Sequence, residues 1–122
     1  MSPQAKDEER EERIANEIIV DAYGSEERMT GWYTYLSDTL SFPFTARCVR
    51  LRPTSPLEQG ASVRVLGMAS IDLCEQEILV LILWKRRQLA VPLFQLEGVK
   101  GDEETEQAIE DWHYWVNCGY TF

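Results

Sequence analysis

The sequence predicts an α+β fold: two N-terminal helices, a small antiparallel SH3-like β-barrel or bent sheet, and one C-terminal helix. Three observations carry this expectation. Apolar residues recur at helical spacing at both ends of the chain, short β-forming runs fill its middle, and Gly or Pro marks each change of period. Residues 1–122 show no internal repeat and no linker, so they are read as a single domain whose residues 1–10 are expected to fray.

The first helix reads from Glu8, with Ile14, Ala15, Ile18, Ile19 and Ala22 on one apolar face. Gly24 suits a left-handed stop, and Ser25-Glu26-Glu27 a helix start whose acids complement the dipole. Met29, Trp32, Tyr33, Leu36 and Leu40 form the stripe of the second helix, which must end before Pro43. Thr45 to Leu51 and Ala61 to Gly67 then read as strands. Glu77 to Trp84 reads as a central strand, apolar on both faces. Lys85-Arg86-Arg87-Gln88 is a tight basic turn, expected to serve salt pairing within the molecule or solubility. Leu89 to Pro92 returns, with Pro92 at an edge or strand end. After Gly101 the third helix opens on Asp102 as N-cap, buries Ala108, Trp112, Trp115 and Val116, and stops at Gly119. The aromatic set Trp32, Tyr33, Tyr35, Trp112, Tyr114 and Trp115 is read as core between helices and sheet.

Charge narrows the function. The chain carries 21 Asp and Glu against 12 Lys and Arg, a formal net charge of −9. This opposes binding to nucleic-acid phosphate and to anionic membranes. The surplus lies at the ends: residues 1–28 hold nine acids and four bases, and residues 97–122 seven acids and one base. Residues 29–96 hold only Asp38, Glu58, Asp72, Glu75 and Glu77 against seven bases. The terminal acidic runs 7–12 and 102–106 read as solvated helix starts.

Three cysteines with no CxxC pair argue against a secreted disulfide framework and for a reduced, cytoplasmic setting. The polar, acidic start is no secretory signal. The longest apolar run, the seven residues from Ile78 to Trp84, falls short of the roughly 20 needed to span a bilayer.

Catalytic chemistry is poorly supplied. The one histidine, His113, lies among aromatics, and Cys74 sits beside Glu75, where an anion opposes thiolate formation. No nucleophile elbow, phosphate-binding loop or zinc motif is present. The chain is read as a non-enzyme.

A hard cation suits the remaining acids better, since calcium takes six to eight oxygen ligands. The segment 68–77 offers Asp72, Glu75 and Glu77 with backbone carbonyls, and Glu75 and Glu77 share a face if the strand begins there. Like charges side by side on a strand are unfavourable without a cation between them, although a solvated acidic turn is the plainer alternative. The spacing is not that of an EF-hand. Asp38 stands in the last turn of the second helix, where the dipole disfavours an anion; exposure opposite the apolar stripe explains it equally. Asp111 flanks the stripe of the third helix, where it reads as hydrogen-bonded at the edge of the core.

The strings ERIANEIIVDAYGSEER (12–28), GWYTYLSDTLSFPFTARC (31–48), VRVLGMA (63–69), CEQE (74–77), LAVPLFQLE (89–97) and EETEQAIEDWHYWVNCGYTF (103–122) resemble the cyanobacterial calcium-binding protein family, CcbP. The resemblance implies a cytoplasmic protein with up to two non-EF-hand Ca²⁺ sites built from carboxylates and backbone carbonyls. It implies a buffering or sequestering role in calcium homeostasis and signalling, linked to heterocyst differentiation. The family picture sets one ion between a helix and sheet strands, where Asp38 fits with Glu75 or Glu77, and one at a turn, where Asp72 fits. Glu97 and Asp111 are further candidate ligands. The turn Ser70-Ile71-Asp72 is less acidic than the family's, which weakens that site. The expected ligand is calcium, with no nucleic acid and no membrane as partner, and the chain is expected as a monomer. The competing reading is an acidic SH3-like interaction module, with no metal role, that recruits a basic protein.

Overall fold

A computed structural model describes residues 6–122. Helix α1 (Glu8–Arg13) is capped by Asp7, whose carboxylate accepts from the Arg10 N–H at 3.1 Å. Two further hydrogen bonds hold this end within the described residues. The Asp7 N–H donates to the Tyr114 hydroxyl at 2.9 Å, and the Tyr114 hydroxyl donates to Glu11 at 2.9 Å. Of the expected frayed residues 1–10, residues 1–5 lie outside the described ones.

The helix then widens into a π-helical turn, Ile14–Ile18, closed by Ile19 N–H to the Ile14 carbonyl at 3.0 Å. The helix therefore ends before Gly24. The left-handed residue is Asp21 (φ 53), a residue type that tolerates that conformation, while Gly24 (φ −118) is the N-cap of α2, Ser25–Thr39. The π-turn lies directly on α2 because Gly31 has no side chain: a Cβ there would meet the Ile18 carbonyl oxygen at 2.5 Å.

Five antiparallel strands follow: β1 Phe44–Cys48, β2 Ser62–Met68, β3 Leu79–Trp84, β4 Arg87–Pro92 and β5 Leu96–Val99. They pair in the order β4-β3-β2-β1-β5. The sheet is bent, with a register shift between Val65 and Gly67, but not closed: β4 and β5 are its two edges, so the barrel alternative gives way to an open bent sheet. Strand β5 has no alternating signature, because Glu97 and Gly98 interrupt it; pairing of Leu96 with Cys48 and Val99 with Thr45 creates it. Short 3₁₀ turns, Ile71–Cys74 and Leu93–Gln95, precede β3 and β5.

Helix α3 (Glu103–Asn117) begins on Asp102, which accepts from the Thr105 N–H at 2.7 Å, and ends near Gly119 (φ 85). That backbone donor is the leading cause of the low pKa of the Asp102 carboxyl. The core joins the helices to one face of the sheet. Trp32 of α2 meets Trp112 and Trp115 of α3 at ring distances of 5.0 and 5.5 Å, all three buried.

Candidate metal centre

Asp111 is fully buried, and both its oxygens are taken. Oδ1 accepts from Arg10 Nη1 at 2.8 Å and Arg13 Nη2 at 2.7 Å, and Oδ2 from Arg13 Nε at 2.9 Å. The Asp111 bond, offset in part by burial, raises the Arg13 pKa. This carboxylate anchors α1 to α3 through two arginines. Glu97 pairs with Arg47 directly across β5 and β1, with Nε to Oε1 at 2.9 Å. Glu77 is gripped by Arg52, through Nη1 to Oε1 at 3.2 Å and a second contact from Nη2 to Oε2.

Glu75 and Glu77 do not share a strand face, because β3 begins only at Leu79. Glu75 instead caps the 3₁₀ turn in helical conformation (φ −60, ψ −33), which swings it to the side of Asp72. Burial is also the main reason the Cys74 thiol pKa is raised; the acidic contribution comes from Glu77, not from the adjacent Glu75.

Two acidic grooves run beside α2. One, of about 550 Å³, lies between its first turns and the 3₁₀ turn before β3, lined by Ser25, Glu26, Met29, Thr30, Ile71, Asp72, Glu75 and Gln76. The other, of about 880 Å³, carries Glu17 from the π-turn with Glu26, Glu27 and Asp38 of α2. Asp38 and Glu75 thus line different grooves. Neither groove is lined by Lys or Arg. Among the described residues, the exposed carboxylates Glu26, Asp72 and Glu75 have no ion-pair partner, unlike Glu77, Glu97 and Asp111.

Among the described residues, no three Asp, Glu, His or Cys side chains already stand together as a metal cage. The donor set of the smaller groove nonetheless suits a hard cation: three carboxylates, the Gln76 amide oxygen and the Ser25 and Thr30 hydroxyls. The α2 N-terminus opposes a cation there, by about 0.3–1 kcal/mol. Glu26 and Glu17 line these grooves although the sequence did not single them out as candidates. In the linear chain both look like ordinary solvated helix acids, and only the packing of α2 against the 3₁₀ turn and the π-turn gives them a place.

A third pocket, of about 680 Å³, contains Asp7, Glu97, Glu106 and Glu110 but also Arg10, Arg50 and His113. Here the imidazole is neutral. Its Nδ1 accepts from Arg50 Nη1 at 3.1 Å, which fixes the proton on Nε2, 3.3 Å from the Leu93 carbonyl. Burial first, then the Arg50 charge, lower the His113 pKa, against opposing help from the Leu93 and Leu96 backbone and Glu97. A histidine with a lowered folded pKa contributes stability above its unfolded value of about 6.5 and loses it as pH falls through the folded value. Denaturant melts at pH 7.5 and pH 5 should therefore show a larger acid loss for the native chain than for His113→Gln. Equal losses would mean that Arg50 does not hold the ring neutral.

Comparison with known proteins agrees with the donor chemistry. A family model described as calcium binding, that of CcbP, matches residues 12–116. The crystal structure of Anabaena CcbP is 40% identical, covers 100% of each chain and superposes with a TM-score of 0.88. A calcium binding protein in the calcium-binding form is likewise 40% identical over 100% of each chain, with a TM-score of 0.86. Comparison with curated proteins gives no match. The family is one of calcium-binding proteins, not of enzymes, and among the described residues no helix is long and apolar enough to cross a membrane. The fold, the hard-oxygen grooves and these likenesses agree: the chain belongs to the CcbP family of calcium-binding proteins.

Proposed function

We propose that the chain is a cytoplasmic Ca²⁺ buffer whose principal ion is held between α2 and the 3₁₀ turn by Glu26, Asp72 and Glu75. The observation that carries this reading is a groove with three carboxylates, oxygen donors around them and no basic residue. Glu26 comes from one element and Asp72 and Glu75 from another, so a bound ion links the two. Calcium supplies the positive charge that relieves repulsion among these acids. The chain's own contribution is to bring hard donors to one place and to keep Lys and Arg away from it.

The larger groove is assigned a second, weaker ion at Glu17, Glu27 or Asp38. Glu27 and Asp38 are separated by about 16 Å of helix, so one ion cannot bridge both. Asp111, Glu97 and Glu77 are left out of the ligand set because arginines occupy them. Buffering is favoured over sensing because α2 is fixed to α3 through the Trp32–Trp112–Trp115 cluster, and a buffer need not open on binding.

Isothermal titration of the metal-free chain with CaCl₂ is expected to give a saturable heat with at most two ions bound, and Ca²⁺ should raise Tm by mass action. Absence of both heat and thermal shift at millimolar Ca²⁺ would sink the proposal.

A further inference from the structure

The β3–β4 hairpin is the one strongly basic feature whose charges find no partner within the described molecule. Lys85, Arg86 and Arg87 are all exposed, and none forms an ion pair among the described residues. By contrast, Arg10, Arg13, Arg47 and Arg52 each hold a carboxylate. Of the two roles the sequence suggested for this turn, salt pairing within the molecule or solubility, the pairing does not occur among the described residues. The turn itself is unusual. Lys85 (φ 48) and Arg86 (φ 68) are both left-handed, a conformation that Asn-Gly adopts with far less strain. The two-residue hairpin itself demands this turn, and the demand is met here by two long basic side chains held at the exposed tip.

Two further features adjoin the turn. Trp84, Arg87 and Leu89 share one hairpin face by register and, with Pro56, Lys85 and Gln88, line a groove of about 470 Å³. Trp84 is half-buried there, with the Lys85 ammonium 5.7 Å from its ring, and neighbouring Leu83 is 50% exposed. Strand β4 is also a sheet edge. A two-residue turn makes Trp84 and Arg87 a hydrogen-bonded pair, and Leu93 N–H to the Ile78 carbonyl at 3.0 Å continues that alternation. The backbone groups of Gln88 and Ala90 consequently point outward. No backbone hydrogen bond joins them to another loop among the described residues.

We propose that this hairpin and the free edge of β4 dock an extended acidic segment of a partner protein. The segment would add as a strand along Gln88 and Ala90, seat an apolar side chain against Trp84 and Leu89, and place its carboxylates on Lys85, Arg86 and Arg87. Charge complementarity selects this occupant. The net charge of −9 opposes any polyanion at long range, but a Debye length of about 8 Å leaves the hairpin's own charges in command of a short segment. A nucleic acid, with its long run of phosphates, would feel the whole repulsion.

The test is a titration of the full chain, in excess EGTA, with a short capped peptide alternating Glu and Val. Trp84 emission reports binding, because Trp32, Trp112 and Trp115 are buried, and amide NMR follows Gln88 and Ala90. The expected result is a saturable change at all three residues, weakened about ten-fold or more by the Arg86→Glu/Arg87→Glu pair and by raised salt. Ala90→Pro, which removes an outward N–H and leaves the β3 ladder intact, should weaken it similarly; if that variant does not fold, the charge-reversed pair carries the test. The proposal is overturned by no saturable change at millimolar peptide or by equal binding of the Lys-for-Glu peptide. Tighter binding of oligothymidine or anionic vesicles than of the acidic peptide overturns it as well.

Discussion

Replacing Asp111 with alanine is expected to destabilise the protein by about 3 kcal/mol or more, within the range of about 3–5 kcal/mol seen when one partner of a buried ion pair is removed. Asp111 accepts three hydrogen bonds from Arg10 and Arg13, and its side chain is 0% exposed. Removing it strands the Arg13 guanidinium, 23% exposed, and leaves Arg10, 22% exposed, with only the longer pairs to Asp7 and Glu110 at 3.6 and 3.9 Å. That residual exposure lets some water reach them, which places the effect at the lower end of the range. The same change loosens α1 from α3, leaving the Glu11–Tyr114 and Asp7–Tyr114 bonds and the longer Arg10–Glu110 pair at 3.9 Å to hold it. Thermal unfolding should show a fall in Tm of roughly 10 °C or more. A change below about 1 kcal/mol would place the arginines in ordinary solvent and remove the anchor from the account. Calcium binding, assigned elsewhere, should survive in this variant once allowance is made for its unfolded fraction.

Glu26→Gln is expected to weaken Ca²⁺ binding by about ten-fold or more, equivalent to about 1.4 kcal/mol. Glu26 is the carboxylate through which α2 faces Asp72 and Glu75, and it also lines the groove of Asp38. Glutamine keeps an oxygen but loses the charge, and calcium affinity follows ligand charge. The cost to the apo fold should be small, about 0.3–1 kcal/mol for one first-turn anion lost from a helix N-terminus. Glu58→Gln, in the 56–60 turn, serves as the comparison and should leave the titration unchanged. Equal affinities for the two variants would remove Glu26 from the ligand set.

The helices were legible because their periodicity is local. Trp32 and Leu36, and Ala108, Trp112 and Trp115, fall on the buried faces that spacing assigns. The Asp102 cap and the Gly119 stop likewise follow from neighbours a few residues away. Strand β5 and the open edges were not legible, because they exist only through pairing with β1 and through the absence of any pairing between β4 and β5. The stop at Asp21 rather than Gly24 depends on a π-turn that Gly31, on the next helix, makes room for.

For the candidate site, local reading found the acidic segment 72–77 but could not divide it. Arg52 pairs with Glu77, while Asp72 and Glu75 line one groove with Glu26 of α2, from a distant part of the chain; the proposed ligand set rests on that division. The reading of Asp111 as a hydrogen-bonded residue at the core edge matches its arginine contacts, which sequence spacing alone could not supply. The net charge of −9 is a similar case. It points to cations in general, whereas the distribution of arginines determines which carboxylates are left to receive them.

The most direct measurement is a Ca²⁺ titration of the metal-free chain followed on its backbone amides. The largest shifts are predicted in residues 25–30 and 70–76, saturating together, with a weaker second set around Glu17 and Asp38. Shifts centred instead on the Asp111 helix interface or on Glu97, with 25–30 and 70–76 unmoved, would contradict the assignment of the ion to the groove between α2 and the 3₁₀ turn.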